Sequence, residues 1–421
     1  MTRSLPAMAV SSLIVFSWAH RASADVKVGE SDGWSFWTDG RVNAFLNYTN
    51  ADQIPNGVLP GSWFDSTQLN SSGRLVSFRI RSGFVGAVLG FSVKKDLTED
   101  TKLSTHIAIW GIAESARDKG GSVTPDMREA YAKIDGPWGG VLAGRTLELF
   151  SRGAIQLDFN YGHGNGLGNP CNVDSIGPTC GHVGFGVIFP GFGAGIVYNT
   201  PDLSGFKLTA GMYDPAVIGG NYTATPLPRL EGEAEFDKAF SSGKVHLFVN
   251  GEWQKVYQQY SGVQGQTPVP QAGHEAYPDS VTSRGVGYGG WLEISALALG
   301  FASHFGYGLG MTYAFENTPT TTNTTTGDLR KFDGYYVQSR VAIGPVDLMA
   351  GYGISRVFAQ PTDVALTSSL IKSQTGISAG INYHVAKPLI LDLDFFNASY
   401  KWYYGQSQTA NFLNAGVTAL W

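Results

Sequence analysis

Acidic side chains recur at every second position in RLEGEAEFD, residues 229–237. If this stretch is a β-strand, Glu231, Glu233, Glu235 and Asp237 share one face, because successive strand side chains point to opposite sides. Four carboxylates on one face repel one another unless water or cations lie beside them. A packed soluble core does not offer that environment, so this face is predicted to line a water-filled space.

The only two cysteines, Cys171 and Cys180, lie nine positions apart in NPCNVDSIGPTCGH. If the chain is exported, as its first residues indicate, it meets an oxidising compartment in which two nearby thiols form a disulfide. A metal site with His163 and His182 is the alternative, but this spacing matches no zinc pattern. We therefore predict a disulfide that stiffens this segment, and no metal.

The sequence offers no arrangement typical of an enzyme. The eight histidines are scattered, and Asp174, Ser175 and His182 are merely neighbours in one segment. The glycine-rich GHGNGLG, residues 162–168, would need a buried strand before it and a helix after it to hold a nucleotide, and neither is evident. The sequence thus predicts no catalysis and no cofactor.

The segments that would position the charged side chains alternate as β-strands do. In KVHLFVNGEW, Leu247 and Val249 share one face, opposite His246. Comparable alternation recurs without a composition break that would mark a domain boundary. We count sixteen strands between residues 35 and 421, with eighteen as the alternative, because a closed antiparallel barrel needs an even number. Whether RLVSFRIRS, residues 74–82, extends the second strand stays open.

Composition and segment length favour a membrane barrel over a soluble β-sandwich. Glycine accounts for 55 of 421 residues and charged residues for only 15%, and no long apolar run follows the first residues. Segments of about 9–11 residues, with short turns alternating with long polar loops, are typical of outer-membrane barrels. Aromatic residues near segment ends predict two girdles at the membrane surfaces: Tyr48, Trp110, Tyr131, Trp138, Tyr198, Tyr213, Trp253, Tyr352 and Trp421.

The first residues have the features of a signal peptide. Arg3 precedes a short apolar stretch, and the small residues Ala22 and Ala24 match a signal-peptidase site. The stretch is shorter than the ~20 residues of a membrane-spanning helix. We therefore predict a signal peptide over 1–24 and one barrel domain over 25–421, with a formal charge of −7. That charge argues against nucleic-acid binding.

Two stretches resemble the Gram-negative general porins, particularly the type found in Neisseria and Burkholderia: MREAYAKIDGPWGGVLAGR and GAGIVYNTPDLSGFKLTAGMYD. In that family a strand ending in GR, here Gly144-Arg145, leads into a third loop that folds into the lumen. The chain then returns through a YxSPxFxGF motif, here Tyr198 to Phe206. The resemblance covers the whole chain. It implies an all-β transmembrane antiparallel barrel with a long third loop, Glu148 to Gly193, inside the lumen.

The resemblance also implies where charge acts. In general porins a basic cluster on the wall faces acidic residues of the third loop, and such fixed charges select ions. Carried onto this sequence, the pore-lining candidates are the wall residues Arg41, Arg79, Arg81 and Arg145 and the loop residues Glu148, Asp158 and Asp174. The terminal aromatic, Trp421, corresponds to the signal that the barrel-assembly machinery reads in that family.

The implied function is passive diffusion of small hydrophilic solutes and ions across the outer membrane of a Gram-negative bacterium. The implied partners are further copies of the chain in a homotrimer, outer-membrane lipid and lipopolysaccharide, the barrel-assembly machinery, and the solutes themselves. Two alternatives stay open: a substrate-selective porin for sugars or organic anions, and a plugged barrel that acts as an adhesin or anchor.

Overall fold

The computed structural model describes residues 25–53, 55–58, 70–83, 85–111, 125–159, 181–218, 222–261, 269–270, 277–310, 326–361 and 370–421. Among these residues no helix is long and apolar enough to cross a membrane. The elements are β1 (Val26–Ser31), β2 (Trp34–Asp52), β3 (Arg74–Arg81), β4 (Ala87–Asp96), β5 (Lys102–Gly111), β6 (Asp126–Gly136), β7 (Gly139–Leu147), α1 (Arg152–Leu157), β8 (Phe192–Asn199), β9 (Phe206–Tyr213), β10 (Arg229–Phe240), β11 (Gly243–Tyr257), β12 (Tyr260–Ser261), β13 (Val269–Pro270), β14 (Ser280–Ile294), β15 (Leu297–Tyr307), β16 (Lys331–Ile343), β17 (Val346–Val357), β18 (Ile371–Ala386), β19 (Leu389–Trp402) and β20 (Ser407–Leu420).

The strands close into a barrel with a wall of sixteen strands. Eighteen strands belong to one antiparallel sheet, and β12 and β13 form a separate pair. β1, which the sequence did not predict, adds a hairpin to the start of β2. β3 and β4 pair with residues 45–52 and 34–41 of β2, so together they form one interrupted wall strand. The predicted count of sixteen is therefore confirmed, and the stretch from residue 74 does extend the second strand.

Asn43 supports the interruption between β3 and β4. Its side-chain amide donates to the Val85 carbonyl oxygen at 2.7 Å, and its side-chain oxygen accepts from the Gly83 N–H at 3.0 Å. Buried backbone groups that leave a strand ladder need other partners. This buried side chain supplies them, so the wall can bend inward here.

The last strand closes the barrel against the first wall strand. β20 pairs with residues 41–51 of β2, and Trp421 exchanges two backbone hydrogen bonds with Gly40, at 2.9 and 3.1 Å. A Cβ at Gly40 would overlap the Trp421 ring and lie 2.5 Å from the Val88 carbonyl oxygen. The alternating C-terminal run thus pairs with the opposite edge, which would otherwise leave backbone groups unsatisfied in lipid.

Burial alternates along the wall strands. On β19, Leu391, Leu393 and Phe395 are exposed on the outer face, whereas Asp392 and Asp394 are buried on the inner face. An apolar outside around a polar interior is the reverse of a soluble fold and is typical of transmembrane barrels.

Only part of the predicted aromatic girdle lies on the outer face. Four of its members are exposed there: Tyr48, Trp138, Tyr198 and Trp253. Three others are buried in the interior, where the prediction was wrong: Trp110, Tyr131 and Tyr213. Position near a strand end does not specify the face, because neighbouring residues of a strand point to opposite sides.

The two ends of the barrel differ in their connections. At one end, which we call the turn end, two residues separate β10 from β11 and β14 from β15. At the other end, which we call the loop end, connections are longer, such as residues 308–330 between β15 and β16. The longest of them, residues 148–191 between β7 and β8, carries α1, and its described parts enter the interior.

Candidate functional site in the barrel interior

The loop between β7 and β8 enters the interior with a turn against β10 and β11. The backbone N–H groups of Leu149 and Phe150 both donate to Glu231 Oε2, at 2.7 and 2.8 Å. Ser151, with a left-handed φ of 65°, donates its N–H to Asn250 Oδ1 at 3.2 Å. Wall side chains thus satisfy the backbone donors of the turn that leads into α1, which have no strand partner.

Arg152, the first residue of α1, forms a buried ion pair with acidic side chains of β10. Its Nε donates to Glu233 Oε1 at 2.8 Å, and Glu235 lies 3.9 Å from the guanidinium. Asn250 donates to the other oxygen of Glu233 at 3.1 Å. Burial disfavours the guanidinium charge, but Glu233 and Glu235 outweigh it and raise the pKa of Arg152. Arg152 is therefore charged in the interior.

Arg229, at the start of β10, holds the first acidic residue of the loop. Its guanidinium pairs with Glu148, and its Nε donates to Glu231 Oε1 at 2.8 Å. The Glu148 N–H donates to the Gly191 carbonyl at 3.0 Å, where the loop returns to the wall. Gly193 leaves room for the Glu148 carboxylate, which a Cβ would overlap. Both ends of the loop are thus tied at this point.

We call the inward carboxylates of β10 and β11 the glutamate wall: Glu231, Glu233, Glu235 and Glu252. Ser283 donates to Glu252 Oε1 at 2.9 Å. The guanidinium groups of Arg152 and Arg229 face these carboxylates and Glu148. Five carboxylates here face two guanidinium groups and Lys207, the inward neighbour of Glu235 on β9. This side of the interior therefore carries an excess of acidic groups.

The far end of α1 contacts β16. Tyr336 donates its hydroxyl to the Ala154 carbonyl at 2.6 Å. Gln338 donates to the Leu157 carbonyl at 2.7 Å and accepts from the Phe159 N–H at 2.9 Å. The last carbonyls of a helix have no partner within the helix, and here β16 supplies it. α1 therefore extends from the glutamate wall to β16.

Asp158, His182 and Ser378 form a hydrogen-bonded chain between the loop and β18. His182 Nδ1 lies 3.1 Å from Asp158 Oδ2, and its Nε2 lies 2.9 Å from Ser378 Oγ. The His182 ring stacks on Tyr336, with ring centroids 6.0 Å apart. The order of groups is that of a serine-hydrolase triad, but each of the three residues is at most 2% exposed. The chain connects two parts of the loop to the wall.

The opposite side of the interior carries three arginines, which we call the arginine wall: Arg41, Arg79 and Arg81. They are buried on the inner face of β2 and β3. Counted from β2, β10 and β11 are the eighth and ninth of the sixteen wall strands. The arginine wall and the glutamate wall are therefore half a turn apart, with opposite charge.

An inward aspartate lies beside the arginine wall. The register places Arg79, Asn47, Asn414 and Asp394 side by side on four adjacent strands. Asn414 donates to Asp394 Oδ1 at 2.6 Å, and Asn47 donates to Asn414. The arginine wall thus continues into a row of hydrogen-bonded amide and carboxylate groups.

Arg145 does not belong to the arginine wall. It shares the outer face of β7 with Val141 and Ala143, its side chain is 45% exposed, and it lies 3.8 Å from Asp126. The prediction of a pore-lining Arg145 was wrong. Both faces of VLAGR are uncharged up to this residue, so alternation could not show which face points inward.

The predicted loop acids, Glu148 and Asp158, lie in the interior, each beside a basic side chain. Three predictions fall on residues outside the described ranges: Asp174 as a loop acid, the disulfide between Cys171 and Cys180, and the signal peptide over 1–24. The roles assigned to the pore-lining candidates stay predictions.

The residues of the site that sequence reasoning missed include Arg152, Arg229 and Asn250. Arg229 stands two positions before Glu231 and so shares its face, a signal that was present in RLEGEAEFD. Arg152 lies in a segment without alternation, and its partner Glu233 is 81 positions away. Only the fold brings that pair together.

The fold and its interior define a class of protein. A closed antiparallel barrel with an apolar outer face and a loop folded into a charged interior is a channel of the outer-membrane type. The sequence profile of the Gram-negative porin family matches residues 7–419. The chain belongs to this family, and it is an outer-membrane channel for passive diffusion.

Solved structures share the fold at low sequence identity. The outer membrane channel DcaP of Acinetobacter baumannii has a TM-score of 0.66 and 15% identity, covering 94% of this chain and 100% of that one. An anion-selective porin from Comamonas acidovorans has a TM-score of 0.58 and 14% identity, covering 92% and 100%. A trimer form of OmpT from Vibrio cholerae has a TM-score of 0.52 and 12% identity, covering 93% and 100%. The comparison with curated protein sequences gives no significant match.

Proposed function

We propose that solute selection in this channel is set by the electric field between the arginine wall and the glutamate wall. The observation that supports it is their placement half a turn apart, with opposite charge and with α1 seated on the glutamate wall. Fixed charges in a cleft with low-dielectric walls act strongly on passing ions.

The two described loop acids support this division of roles. Glu148 pairs with the guanidinium of Arg229, whereas Asp158 is buried within hydrogen-bond distance of His182 Nδ1. A paired charge has a weaker field at a distance than a single one, because the two contributions offset each other. The negative side of the field then comes from β10 and β11, where Glu235 is the least buried carboxylate of the glutamate wall, at 16% exposure.

A second candidate function is a preference for small organic anions over sugars. The arginine wall places three guanidinium groups on two adjacent strands. Guanidinium groups bind carboxylates through two parallel hydrogen bonds. One of the similar solved structures is described as an anion-selective porin, which adds weight to this candidate.

We infer that the chain performs no bond chemistry. The Asp158–His182–Ser378 chain is the arrangement among the described residues that most resembles a catalytic one. Its members are buried against Tyr336 and Phe396. A nucleophile must reach a substrate carbonyl, and this burial favours a structural role that holds the loop in place.

We further propose a homotrimer, to which the trimer form of one similar porin adds support. The signal peptide over 1–24, the disulfide between Cys171 and Cys180 and the role of Trp421 in barrel assembly belong to the same proposal. An exported chain loses its signal peptide, meets an oxidising compartment in which two nearby thiols form a disulfide, and is inserted into the outer membrane by assembly factors.

Liposome swelling with the purified, refolded protein tests the proposed function. Neutral sugars of increasing size and organic anions of matched size are the probes. The proposal predicts that all small solutes enter, that the rates fall with solute size, and that at equal size neutral and anionic solutes enter at different rates. Organic anions entering far faster than sugars of equal size would favour the second candidate. Absence of swelling together with absence of single-channel current would contradict an open channel and favour a plugged barrel.

A further inference from the structure

The inner face of the barrel carries two neighbouring ring side chains near its turn end. His246 on β11 and Trp291 on β14 are direct cross-strand partners. Their ring centroids lie 6.3 Å apart and their planes are inclined by 24°, an arrangement typical of offset rings. Both residues are half-buried. Because the two side chains project from the same face, their rings form one broad surface, which we call the aromatic platform.

The aromatic platform lies where α1 ceases to cover this wall. Towards the loop end, the next inward residue of β11 is Phe248, which is buried. Its ring lies against Gly153 of α1, where a Cβ would overlap it. His246 and Trp291 lie one row further towards the turn end and keep part of their surface exposed. Among the described residues, this row is therefore the first beyond α1 that a solute can contact.

Phe159 adds a third ring beside the platform. It packs against Ala298 on β15, and Trp291 contacts the same hydrophobic cluster. The Phe159 N–H donates to Gln338 Oε1 at 2.9 Å, which fixes the position of the ring. The Arg340 guanidinium lies 5.5 Å from the centroid of this ring. The loop thus supplies one side of a site whose base is the wall.

A row of charged side chains follows the turn-end side of the platform. Four residues on adjacent strands are direct neighbours there: Lys244, Glu293, Ala298 and Arg340. Arg340 donates to Glu293 Oε2 at 2.9 Å, and Lys244 Nζ lies 3.8 Å from the same oxygen. We call the three charged members the polar row. It places hydrogen-bond donors and an acceptor along one edge of the rings.

The charges around the platform disfavour ionic solutes. Lys244 Nζ lies 4.7 Å from the Trp291 ring centroid, so a cationic solute on this ring would meet a like charge. An anionic solute would meet Asp237, which lies beside His246, and Glu235 of the glutamate wall one row away. Neither repulsion acts on a neutral solute. The site therefore offers directional hydrogen bonds to a molecule without net charge.

A neutral sugar ring has the chemistry that matches this site. Its two faces carry C–H groups that pack against aromatic rings, and its hydroxyl groups donate to carboxylates and accept from guanidinium groups. Binding sites for small molecules combine aromatic surface with a few convergent polar groups in this way. An open-chain polyol carries the same hydroxyl groups but has no flat face to place on the rings.

We propose that the aromatic platform and the polar row bind the ring of a neutral sugar at the turn end of the channel. The sugar ring lies on Trp291 and His246, and its hydroxyl groups bond to Glu293 and Arg340. Lys244, whose side chain is long and partly exposed, moves aside from the Trp291 ring. This inference rests on the proposed open channel, but it does not rest on the field between the two charged walls.

Ion current through single channels of the purified, refolded full chain tests this proposal. Glucose is the cyclic probe, and sorbitol is the open-chain control with the same number of carbon atoms. Both raise the viscosity of the solution similarly, so the difference between them reports binding. Glucose should reduce the current in a saturable manner, whereas sorbitol should reduce it only as far as viscosity requires.

Variants of the platform locate the binding. Trp291→Ala removes the flat surface and should raise the glucose concentration for half reduction of the current about tenfold. Trp291→Phe keeps a ring and should raise it less. Trp253→Ala removes an exposed ring from the outer face of β11 and, as the matched control, should leave it unchanged. If Trp291→Ala gives no conducting channel, Trp291→Leu keeps apolar volume beside Phe159 and should show the same loss.

A variant of the arginine wall separates this site from the field between the walls. Arg79→Gln/Arg81→Gln should shift the reversal potential and leave the response to glucose unchanged, because these residues lie on β3, on the side of the interior opposite the glutamate wall. An equal loss of the glucose response in this variant and in Trp291→Ala would contradict a local site.

The outcomes for this site and for the channel are distinguishable. Equal reduction of the current by glucose and sorbitol, or an unchanged glucose response of Trp291→Ala, would overturn the inference and leave the open channel standing. Absence of current in the natural chain would overturn both, because no solute would then reach the platform. A saturable glucose response that is weakened in Trp291→Ala and kept in Trp253→Ala is the expected result.

Discussion

The glutamate wall and the arginine wall use the same strand alternation for different purposes. On β10, Glu231 and Glu233 bind backbone N–H groups and the guanidinium of the loop, and they are buried by it. On β2 and β3, the arginines lie beside amide groups such as Asn47 and continue into a polar row. The alternation of a strand therefore predicts which charged side chains face the interior. Whether such a side chain binds the loop or contributes to the electric field of the pore depends on the groups that it contacts.

This difference has an energetic basis. A buried charge is costly unless hydrogen bonds and an opposite charge compensate for lost water. Glu233 receives Arg152 and Asn250, and Glu231 receives two backbone donors and Arg229. Loop and wall thus stabilise each other, and removal of either partner leaves the other charge uncompensated.

Arg152→Ala should have the largest effect, because it leaves Glu233 buried without its cation. We expect a loss of about 3–5 kcal/mol in the free energy of unfolding, measured by denaturant titration in liposomes. Single-channel recordings should also become noisier as the loop detaches. Arg356→Ala is the matched control, since its pair with Asp333 is partly exposed on the outer face and should contribute about 0.2–1 kcal/mol. Equal losses in both variants would contradict the assigned role of Arg152.

Gly40→Ala should have the next largest effect. It tests the seam between β2 and β20, where the strand that carries Arg41 closes the barrel. The added methyl would overlap the Trp421 ring and the Val88 carbonyl. Overpacking of this kind costs about 1–3 kcal/mol, and folding yield should fall when barrels are assembled from urea into detergent. At Gly29, on β1, a Cβ meets nothing within 4 Å, so Gly29→Ala should fold as the natural chain does. A normal yield for Gly40→Ala would show that the Trp421 contact is dispensable.

Tyr336→Phe should have a smaller effect at the far end of the loop. The change removes the hydroxyl that donates to the Ala154 carbonyl and should cost about 0.5–1.5 kcal/mol of unfolding free energy. Tyr288→Phe, on the exposed outer face, is the control and should change stability by less. If the two variants lose equal stability, the contact between α1 and β16 does not hold the loop.

Most of the wall could be predicted from the sequence. The predicted segment at 229–240 coincides with β10, and the terminal run from 408 coincides closely with β20. These segments alternate cleanly, and their polar face can only be the inner one. Where both faces are apolar, as in VLAGR before Arg145, the pattern fixes the strand but not its orientation.

The contacts of the loop could not be predicted from the sequence. Segment 148–159 has no strand period, and its partners lie on strands that are distant in the chain, such as Gln338 on β16. The short strand β1 was missed because it pairs only locally, with the first residues of β2. The contacts of the loop can be predicted only from the closed barrel, because its closure determines which strands lie opposite each other.

The reversal potential of single channels under a salt gradient tests the central claim most directly. Arg79→Gln/Arg81→Gln should shift the potential towards cation preference, and Glu235→Gln should shift it towards anion preference. Arg356→Gln, on the outer face, should leave it unchanged. Opposite shifts for the two walls are the predicted result. Shifts in the same direction, or none in either wall variant, would contradict the account that opposed charged walls set solute selection.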